Sequence, residues 1–171
     1  TCSSGTGTYA GCSVTTPTVS SLTTTKALTS VNGVPGATTV GPNQAMVYTL
    51  TVTNNGGTSG STTLTETIPA GTVYNSTTAG NEGWNCSGVY TAGQTCTHTA
   101  VTAAANGGTA TVTFTVTSLS SLGSTQSITN TCSSGTGTYA GCSVTTPTAA
   151  ALFVTKTISA VKRAGTSHSD S

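Results

Sequence analysis

The stretch that decides the fold is "AMVYTLTVTNN", residues 45–55. Apolar and polar side chains alternate along it, with Tyr48, Leu50 and Val52 on one face and Thr49, Thr51 and Thr53 on the other. A second stretch, "TATVTFTVT" at residues 109–117, repeats this pattern with Val112, Phe114 and Val116. Alternation with period two, carried by β-branched residues, is typical of a half-buried β-strand.

Turn signals separate these runs. They are "NGVPG" at 32–36, "NNGG" at 54–57, "IPAG" at 68–71 and "ANGG" at 105–108. No segment has a convincing helical period. Many short strands at this spacing predict an all-β fold, an antiparallel β-sandwich.

An internal repeat sets the organisation of the chain. "TCSSGTGTYAGCSVTTPT" stands at residues 1–18 and again, letter for letter, at 131–148, which gives a period of 130 residues (131 − 1). "LTTTKALTSV" at 22–31 also aligns with "LFVTKTISAV" at 152–161, so that Lys156 is the counterpart of Lys26. We therefore expect a terminal hairpin of a preceding unit at 1–18, a full unit at 19–148, and the first strand of a following unit with a polar tail at 149–171.

The composition is unusual in its lack of charge. Of the 171 residues, 4% are charged and the net charge is +1, against roughly 25% charged residues in an ordinary soluble domain. This balance provides no basic field for nucleic acid. No stretch approaches the ~20 apolar residues of a membrane-spanning helix, and any signal peptide is expected to lie outside this sequence. A surface of Thr, Ser, Asn and Gly suits a protein that lies against copies of itself.

Six cysteines form three pairs with the same gap. They are Cys2 and Cys12, Cys86 and Cys96, and Cys132 and Cys142. Metal sites prefer cysteines two to four residues apart, and no such motif occurs. Free buried thiols are the alternative, but we expect three local disulfides and hence an oxidising, extracellular location.

The middle of the chain resembles a known family. "VYTLTVTNNGGTSGSTTLTETIPAGTVY" at 47–74, with Trp84, the Cys86 and Cys96 pair and "SITNTC" at 127–132, is similar to the Ig-like repeat called domain of unknown function eleven. Glu66 stands where that family usually has Asp. The resemblance implies an Ig-like sandwich repeated in tandem in prokaryotic surface proteins, where such modules act as stalks. It implies no reaction.

The charged residues of the unit are Lys26, Glu66 and Glu82, and the first two fall on apolar faces, as does the polar Asn130. Strand parity places Lys26 with Leu22 and Leu28, and it places Glu66 with Leu64 and Ile68. Asn130 shares a face with Ile128. In the following unit, Leu152, Val154, Lys156 and Ile158 share one face in the same way.

One reaction accounts for these three residues together. A desolvated lysine amine attacks an asparagine carboxamide, and a carboxylic acid moves the protons. Gram-positive pilin and collagen-adhesin modules form such isopeptide bonds, and this likeness implies Lys26 as nucleophile, Asn130 as acceptor and Glu66 as catalyst. A plain ion pair, or a lysine that extends to water, are the alternatives. Asn54 is a second candidate acceptor.

The remaining candidates are weaker. His98 and His168 are isolated and Asp170 is the only aspartate, so we expect no metal site and no cofactor. No nucleophile, base and orienting residue occur together, so we expect no enzyme. Asn75 in "NST" and Asn85 in "NCS" are glycosylation sequons, of which we favour Asn75.

Two functional hypotheses follow. The first is an extracellular structural repeat that forms a cell-surface stalk or a filament, with neighbouring copies joined either as one tandem chain or by donor-strand exchange. The second is an adhesin module that binds a surface ligand or glycan through exposed aromatic residues. The candidates for that role are Tyr9, Tyr74, Trp84, Tyr90 and Tyr139, although Trp84 beside Cys86 is typical of a core residue.

Overall fold

The computed structural model of the chain describes residues 3–4, 7–8, 19–86, 90–135, 138–139 and 141–149. Within these ranges the backbone forms strands and turns and no helix, as the alternating pattern predicts. The strands in chain order are β1 (Ser3–Ser4), β2 (Gly7–Thr8), β3 (Leu22–Val31), β4 (Val34–Pro35), β5 (Ala45–Asn54), β6 (Gly60–Thr67), β7 (Thr72–Tyr74), β8 (Trp84–Cys86), β9 (Thr95–Ala103), β10 (Gly108–Ser118), β11 (Ser127–Ser134), β12 (Thr138–Tyr139) and β13 (Ser143–Pro147).

Two sheets enclose one core. The first has the order β12-β3-β5-β10-β7, with β4 also paired to β3, and the second has the order β13-β11-β6-β9-β8. Neighbouring strands are antiparallel, except that β12 runs parallel to β3. The chain thus changes sheet between β11 and β12 and returns for β13. The predicted all-β antiparallel sandwich is confirmed.

Strands β5 and β10 form the centre of the first sheet, and their sequence pattern explains why. They pair over ten residues, with Tyr48 opposite Phe114. The apolar face predicted for β5 is buried, while its threonines stand on the other face. Trp84 closes the core against Phe114, with ring centroids 5.0 Å apart, and its indole nitrogen donates to the Thr113 carbonyl at 2.7 Å. Trp84 is therefore a core residue, as predicted.

The predicted local disulfides are present at two places. Cys86 and Cys96 are direct partners in the pairing of β8 with β9, and their sulfurs are bonded. Cys132 and Cys142 are also bonded, which ties β11 to the segment that leads into β13. Disulfides persist in oxidising compartments.

Some predictions fall outside the described residues. These are the Cys2 and Cys12 pair, most of the hairpin at 1–18, and the following strand and tail at 149–171, of which only residue 149 is described. Lys156 is therefore among the residues that are not described. Of that hairpin, β1 and β2 are described as an antiparallel pair with Ser3 opposite Thr8.

The first and last strands of the sandwich point the same way. Strands β3 and β6 both begin at the end where residues 19–21 lie, and β13, antiparallel to β11, runs from that end to the opposite one. We call the end with residues 19–21 and the turns at 55–59 and 104–107 the N-terminal pole. The end with the loops at 41–44 and 120–126 is the C-terminal pole. The chain therefore traverses the sandwich from pole to pole.

Asn54 organises the N-terminal pole. Its side-chain oxygen accepts from the backbone nitrogens of Ser21 and Gly56, each at 3.0 Å. Its side-chain nitrogen donates to the carbonyls of Thr58, at 2.8 Å, and Ala103, at 3.2 Å. This buried amide links the incoming chain, a turn and β9.

We expect Asn54→Ala to lower the free energy of unfolding by about 3 kcal/mol or more, because four backbone groups lose their partner and two of these bonds are buried. Urea denaturation of the full chain measures the change. Asn55→Ala is the matched control, since Asn55 is exposed and its bond to Ser21 uses the backbone nitrogen. Equal losses in the two variants would contradict this role of Asn54.

Candidate functional site

Lys26, Glu66 and Asn130 are buried in the core, on the faces that strand parity assigns to them. Lys26 lies on β3 in the first sheet, and Glu66 and Asn130 lie on β6 and β11 in the second. The exposed fractions are 7% for Lys26 and 0% for the other two. Three polar side chains from both sheets therefore stand in a core that is otherwise largely apolar.

Lys26 and Glu66 form an ion pair across the two sheets. The lysine nitrogen lies 2.7 Å from each oxygen of the carboxylate. The same nitrogen lies 5.0 Å from the centroid of the Tyr48 ring, an arrangement in which the ring face attracts a cation. The side chains of Lys26 and Glu66 have no exposure to solvent, so the pair is held without water.

Burial moves both pKa values toward neutrality. Desolvation lowers the pKa of Lys26 to about 8, against the opposing attraction of Glu66. Desolvation also raises the pKa of Glu66 to about 7, and the Lys26 charge opposes this shift. Burial thus disfavours the charged form of both groups. An uncharged amine and an uncharged carboxylic acid are accessible in the same site.

Asn130 stands beside this pair with its amide unused. Cys132 is directly opposite Glu66 in the pairing of β11 with β6, so Asn130 is the diagonal neighbour of Glu66 on the same face, at about 7 Å between backbones. It is close enough to favour the ionised form of Glu66 and so to lower its pKa. Among the described residues, neither amide atom of Asn130 makes a hydrogen bond of ordinary length. Buried amides without partners are rare, and each unmet group costs about 1–3 kcal/mol.

Asn54, the second candidate acceptor, is placed differently. Both atoms of its amide are engaged in the four hydrogen bonds described above, and it lies at the N-terminal pole on the last residue of β5. Its amide is therefore used in the fold. Asn130 is the asparagine that the structure brings to the lysine and the glutamate.

Tyr48 is a part of the site that the sequence did not predict. The alternating pattern predicts that Tyr48 is buried, but not that it lies beside Lys26. Lys26 is opposite Leu50 in the pairing of β3 with β5, and Tyr48 is the diagonal neighbour. An aromatic residue two positions from the partner of a buried lysine is the signal that points to the contact. The register needed to read it is not available from one sequence.

The aromatic candidates for ligand binding are mostly in the core. Tyr74 is 3% exposed and stacks on Phe114 at 5.2 Å. Tyr90 is 41% exposed and packs against Tyr74 at 5.5 Å. Tyr9 and the side chain of Tyr139 lie outside the described residues. The described part of the chain thus offers one exposed aromatic side chain of the predicted set.

The other polar candidates are scattered. His98 packs at the edge of Trp84 with ring centroids 5.3 Å apart, and within the described ranges no group of three potential metal ligands forms. His168 and Asp170 lie outside those ranges. Asn75 is exposed in a turn where its oxygen accepts from the backbone nitrogen and the hydroxyl of Thr77, and Asn85 is exposed beside the disulfide at Cys86.

No protein-family model matches the chain, and no curated protein matches it either. The resemblance to the Ig-like repeat therefore stays a prediction made from the motifs. Among the residues that the structure describes, no helix has the length and apolarity needed to cross a membrane.

The ion pair makes the free energy of unfolding depend on pH. The Asn130→Ala variant reveals this dependence, because without the acceptor both Lys26 and Glu66 stay free to titrate. Glu66 has its ordinary pKa of 4.5 when unfolded, and burial raises this pKa to about 7 in the folded wild type; the variant also lacks the lowering influence of Asn130. The free energy of unfolding of the variant therefore falls as pH rises through this window. Lys26 has a pKa of about 8 when folded and 10.5 when unfolded, so stability rises again between these values. We expect a minimum of stability between about pH 7 and 8, measured by urea denaturation.

The control is the same variant with Lys26→Met and Glu66→Gln added, in which this minimum should disappear. Measurements stay below pH 10, because burial also raises the pKa of Tyr48, to about 12. A flat profile in Asn130→Ala would mean that the two groups are not desolvated as described.

Proposed function

We propose that this chain is a structural, tension-bearing unit of an extracellular stalk or filament, closed internally by an isopeptide bond between Lys26 and Asn130. One observation carries the proposal: a fully buried asparagine amide without a hydrogen-bond partner stands beside a buried lysine and glutamate whose pKa values approach each other.

The reaction that this arrangement supports is a single amide exchange. Proton transfer from Lys26 to Glu66 leaves a neutral amine, whose nitrogen lone pair attacks the side-chain carbonyl carbon of Asn130. The carbonyl oxygen takes the negative charge, and the protonated Glu66 delivers a proton to the departing nitrogen. The bond from carbon to the amide nitrogen breaks and ammonia leaves. The oxyanion re-forms the carbonyl as that bond breaks, and the ionised Glu66 accepts the surplus proton from the lysine nitrogen, so that a neutral secondary amide joins the two side chains. Exclusion of water protects the intermediate from hydrolysis.

The cross-link would complete a short covalent path through the unit. Tension that enters at residue 19 reaches Lys26 along β3 and passes to Asn130 on β11. Two residues further it meets Cys132, crosses the disulfide to Cys142 and leaves along β13. Residues 27–129 and 133–141 would lie outside this path, so force would not unravel the two sheets. The direction of β3 and β13 from pole to pole suits this use.

The surroundings agree with an extracellular structural protein. Two disulfides indicate an oxidising compartment. Lys26 and Glu66 neutralise each other inside, which leaves Glu82 as the one remaining Lys, Arg, Asp or Glu of residues 19–148. A surface of hydroxyl and amide groups neither repels copies of itself nor depends on salt.

Tandem continuation has more support than donor-strand exchange. Residues 19–149 supply all strands of both sheets, β3 through β13, from one unit. In the described ranges, β3 pairs with β5 along its length, and β13 pairs with β11. The positions that a donated first strand or last hairpin would take are therefore filled by the unit itself.

The decisive test is the intact mass of the full chain under non-reducing conditions. We expect a deficit of one ammonia beyond the loss from the disulfides, because one complete site is present. Asn130→Ala and Lys26→Ala should abolish the deficit, and Glu66→Gln should abolish or greatly slow it. Asn55→Ala is the control that keeps it. A folded wild-type chain with the full unmodified mass would overturn the cross-link.

Stability gives a second measure of the cross-link. A cross-link that encloses about 100 residues stabilises a fold by about 5 kcal/mol in the loop-closure model. The cross-linked chain should therefore unfold at a higher urea concentration than Asn130→Ala by more than the loss of one buried amide explains. If Glu66→Gln slows the reaction without abolishing it, its fractions with and without the mass deficit provide the comparison at constant sequence.

Force spectroscopy tests the mechanical role. Pulled through both ends, the oxidised wild-type unit should give no unfolding step, because residues 27–129 are bypassed. Asn130→Ala should release on the order of 300 Å of chain. Within residues 19–148, reduction of the wild type should release only the nine residues enclosed by the Cys132–Cys142 disulfide, about 30 Å. A long unfolding step in the cross-linked wild type would contradict the mechanical role even if the cross-link forms.

A further inference from the structure

The junction between successive units can be derived from residues that the structure describes at the two poles. By the period of 130, Val19 at the start of the unit is equivalent to Ala149 at its end. Val19 and Ala149 therefore occupy the same position of the repeat. Val19 shows the contacts of this position with the unit that follows it, and Ala149 shows its contacts with the unit that precedes it.

This position is bonded to both of its neighbours. At the N-terminal pole, the carbonyl of Val19 accepts from the backbone nitrogen of Gly57 at 3.1 Å. At the C-terminal pole, the backbone nitrogen of Ala149 donates to the carbonyl of Val40 at 2.8 Å. A single residue at the junction has both groups, so it can make the first bond with the following unit and the second with the preceding unit at once.

The segment after this position packs directly on its own unit. A Cβ atom added to Gly56 would collide with the backbone of Val19, and one added to Gly60 would lie 2.5 Å from the Cβ of Ser20. Positions 56 and 60 therefore have no room for a side chain where residues 19–21 pass over them. The equivalents of Ser20 and Ser21 are Ala150 and Ala151, which are also small. No residue is left over to act as a spacer.

The C-terminal pole carries an open pocket at the same place. It has a volume of about 650 Å³ and is lined by Pro42, the loop 120–126, Thr148 and Ala149. Thr148 is fixed there, since its nitrogen donates to Gln126 and its hydroxyl to Thr125. At the opposite pole, Val19 is 69% exposed. In a junction Val19 takes the position of Ala149, which places its side chain in the lining of the preceding unit's pocket.

We propose that successive units share the residue at position 19/149 and abut pole to pole without a linker, with the N-terminal pole of the following copy covering the pocket of the preceding one. The partner of this surface is thus a second copy of the same unit. This inference rests on the tandem arrangement proposed above. It predicts a stiff rod, because a junction bonded on both sides has no freely rotating residue.

The test uses the chain lengthened by one repeat, residues 1–148 followed directly by residues 19–171. Nuclear spin relaxation should give both units one shared, longer rotational correlation time, and small-angle scattering should give the dimensions of a straight rod. Insertion of Gly-Ser-Gly-Ser at the junction should return each unit to the correlation time of the 171-residue chain. Independent tumbling without the insertion would overturn the proposal.

Point variants separate the junction from general effects. Val19→Asp in the second unit places a charge in the junction and should shorten the shared correlation time. Ala27→Asp, an exposed position in the middle of β3, should leave it unchanged. Urea denaturation confirms that both variants stay folded, and equal correlation times in the two would count against the junction.

The two proposals fail separately in this design. The units are joined by the lengthening itself, so a flexible junction leaves the mass deficit and the covalent path untouched. Conversely, a missing mass deficit leaves the shared correlation time as it is.

Discussion

The buried ion pair of Lys26 and Glu66 is the constraint on which the unit depends. Taking two charges out of water costs several kcal/mol per ion, and replacing such a pair by apolar residues of similar volume is often neutral or stabilising. This core excludes nearly every other charge, yet it keeps these two at 2.7 Å in the space between the sheets. A role in stability alone does not explain that choice. The proposed cross-linking reaction would explain it, because desolvation brings both pKa values close to neutral pH, where each group can gain or lose a proton.

The side-chain amides of Asn130 and Asn54 differ in their hydrogen bonds. Both are fully buried asparagines on strands of the same sandwich. The amide of Asn54 bonds to four backbone groups and so contributes to the fold as it stands. The amide of Asn130 makes no hydrogen bond of ordinary length among the described residues, and its one polar influence there is to lower the pKa of Glu66. The proposed conversion to a secondary amide would remove its NH₂ group and replace an unfavourable buried amide by a covalent bond.

The sequence predicted which face of a strand a side chain lies on, but not which side chains meet between the two sheets. Parity along β3, β6 and β11 placed Lys26, Glu66 and Asn130 on inner faces, because the alternation of side chains is a local property. It could not tell which inner faces oppose each other, since that depends on the order of strands in two sheets. Local breaks in register also escape it. Between Leu28 and Ser30 the pairing of β3 shifts, so Val31 is buried although its parity differs from that of Lys26. The bonds that distinguish Asn54 from Asn130 likewise come from chain segments distant in sequence.

The aligned segment at 152–161 allows the buried lysine to be compared with a buried threonine of the same strand. Strand β3 buries two residues with polar atoms near its middle, Thr24 and Lys26, and the hydroxyl of Thr24 has no hydrogen-bond partner among the described residues. In the aligned segment at 152–161, Val154 replaces Thr24 while Lys156 keeps the lysine. Val has the shape of Thr without the hydroxyl, so that change removes an unmet polar group at no cost in packing. If burial of the lysine only lowered the stability of the fold in the same way, an apolar side chain at position 156 would remove that cost as readily. The two segments differ at six of their ten aligned positions, Thr24 among them, and both keep the lysine, as the proposed cross-link requires.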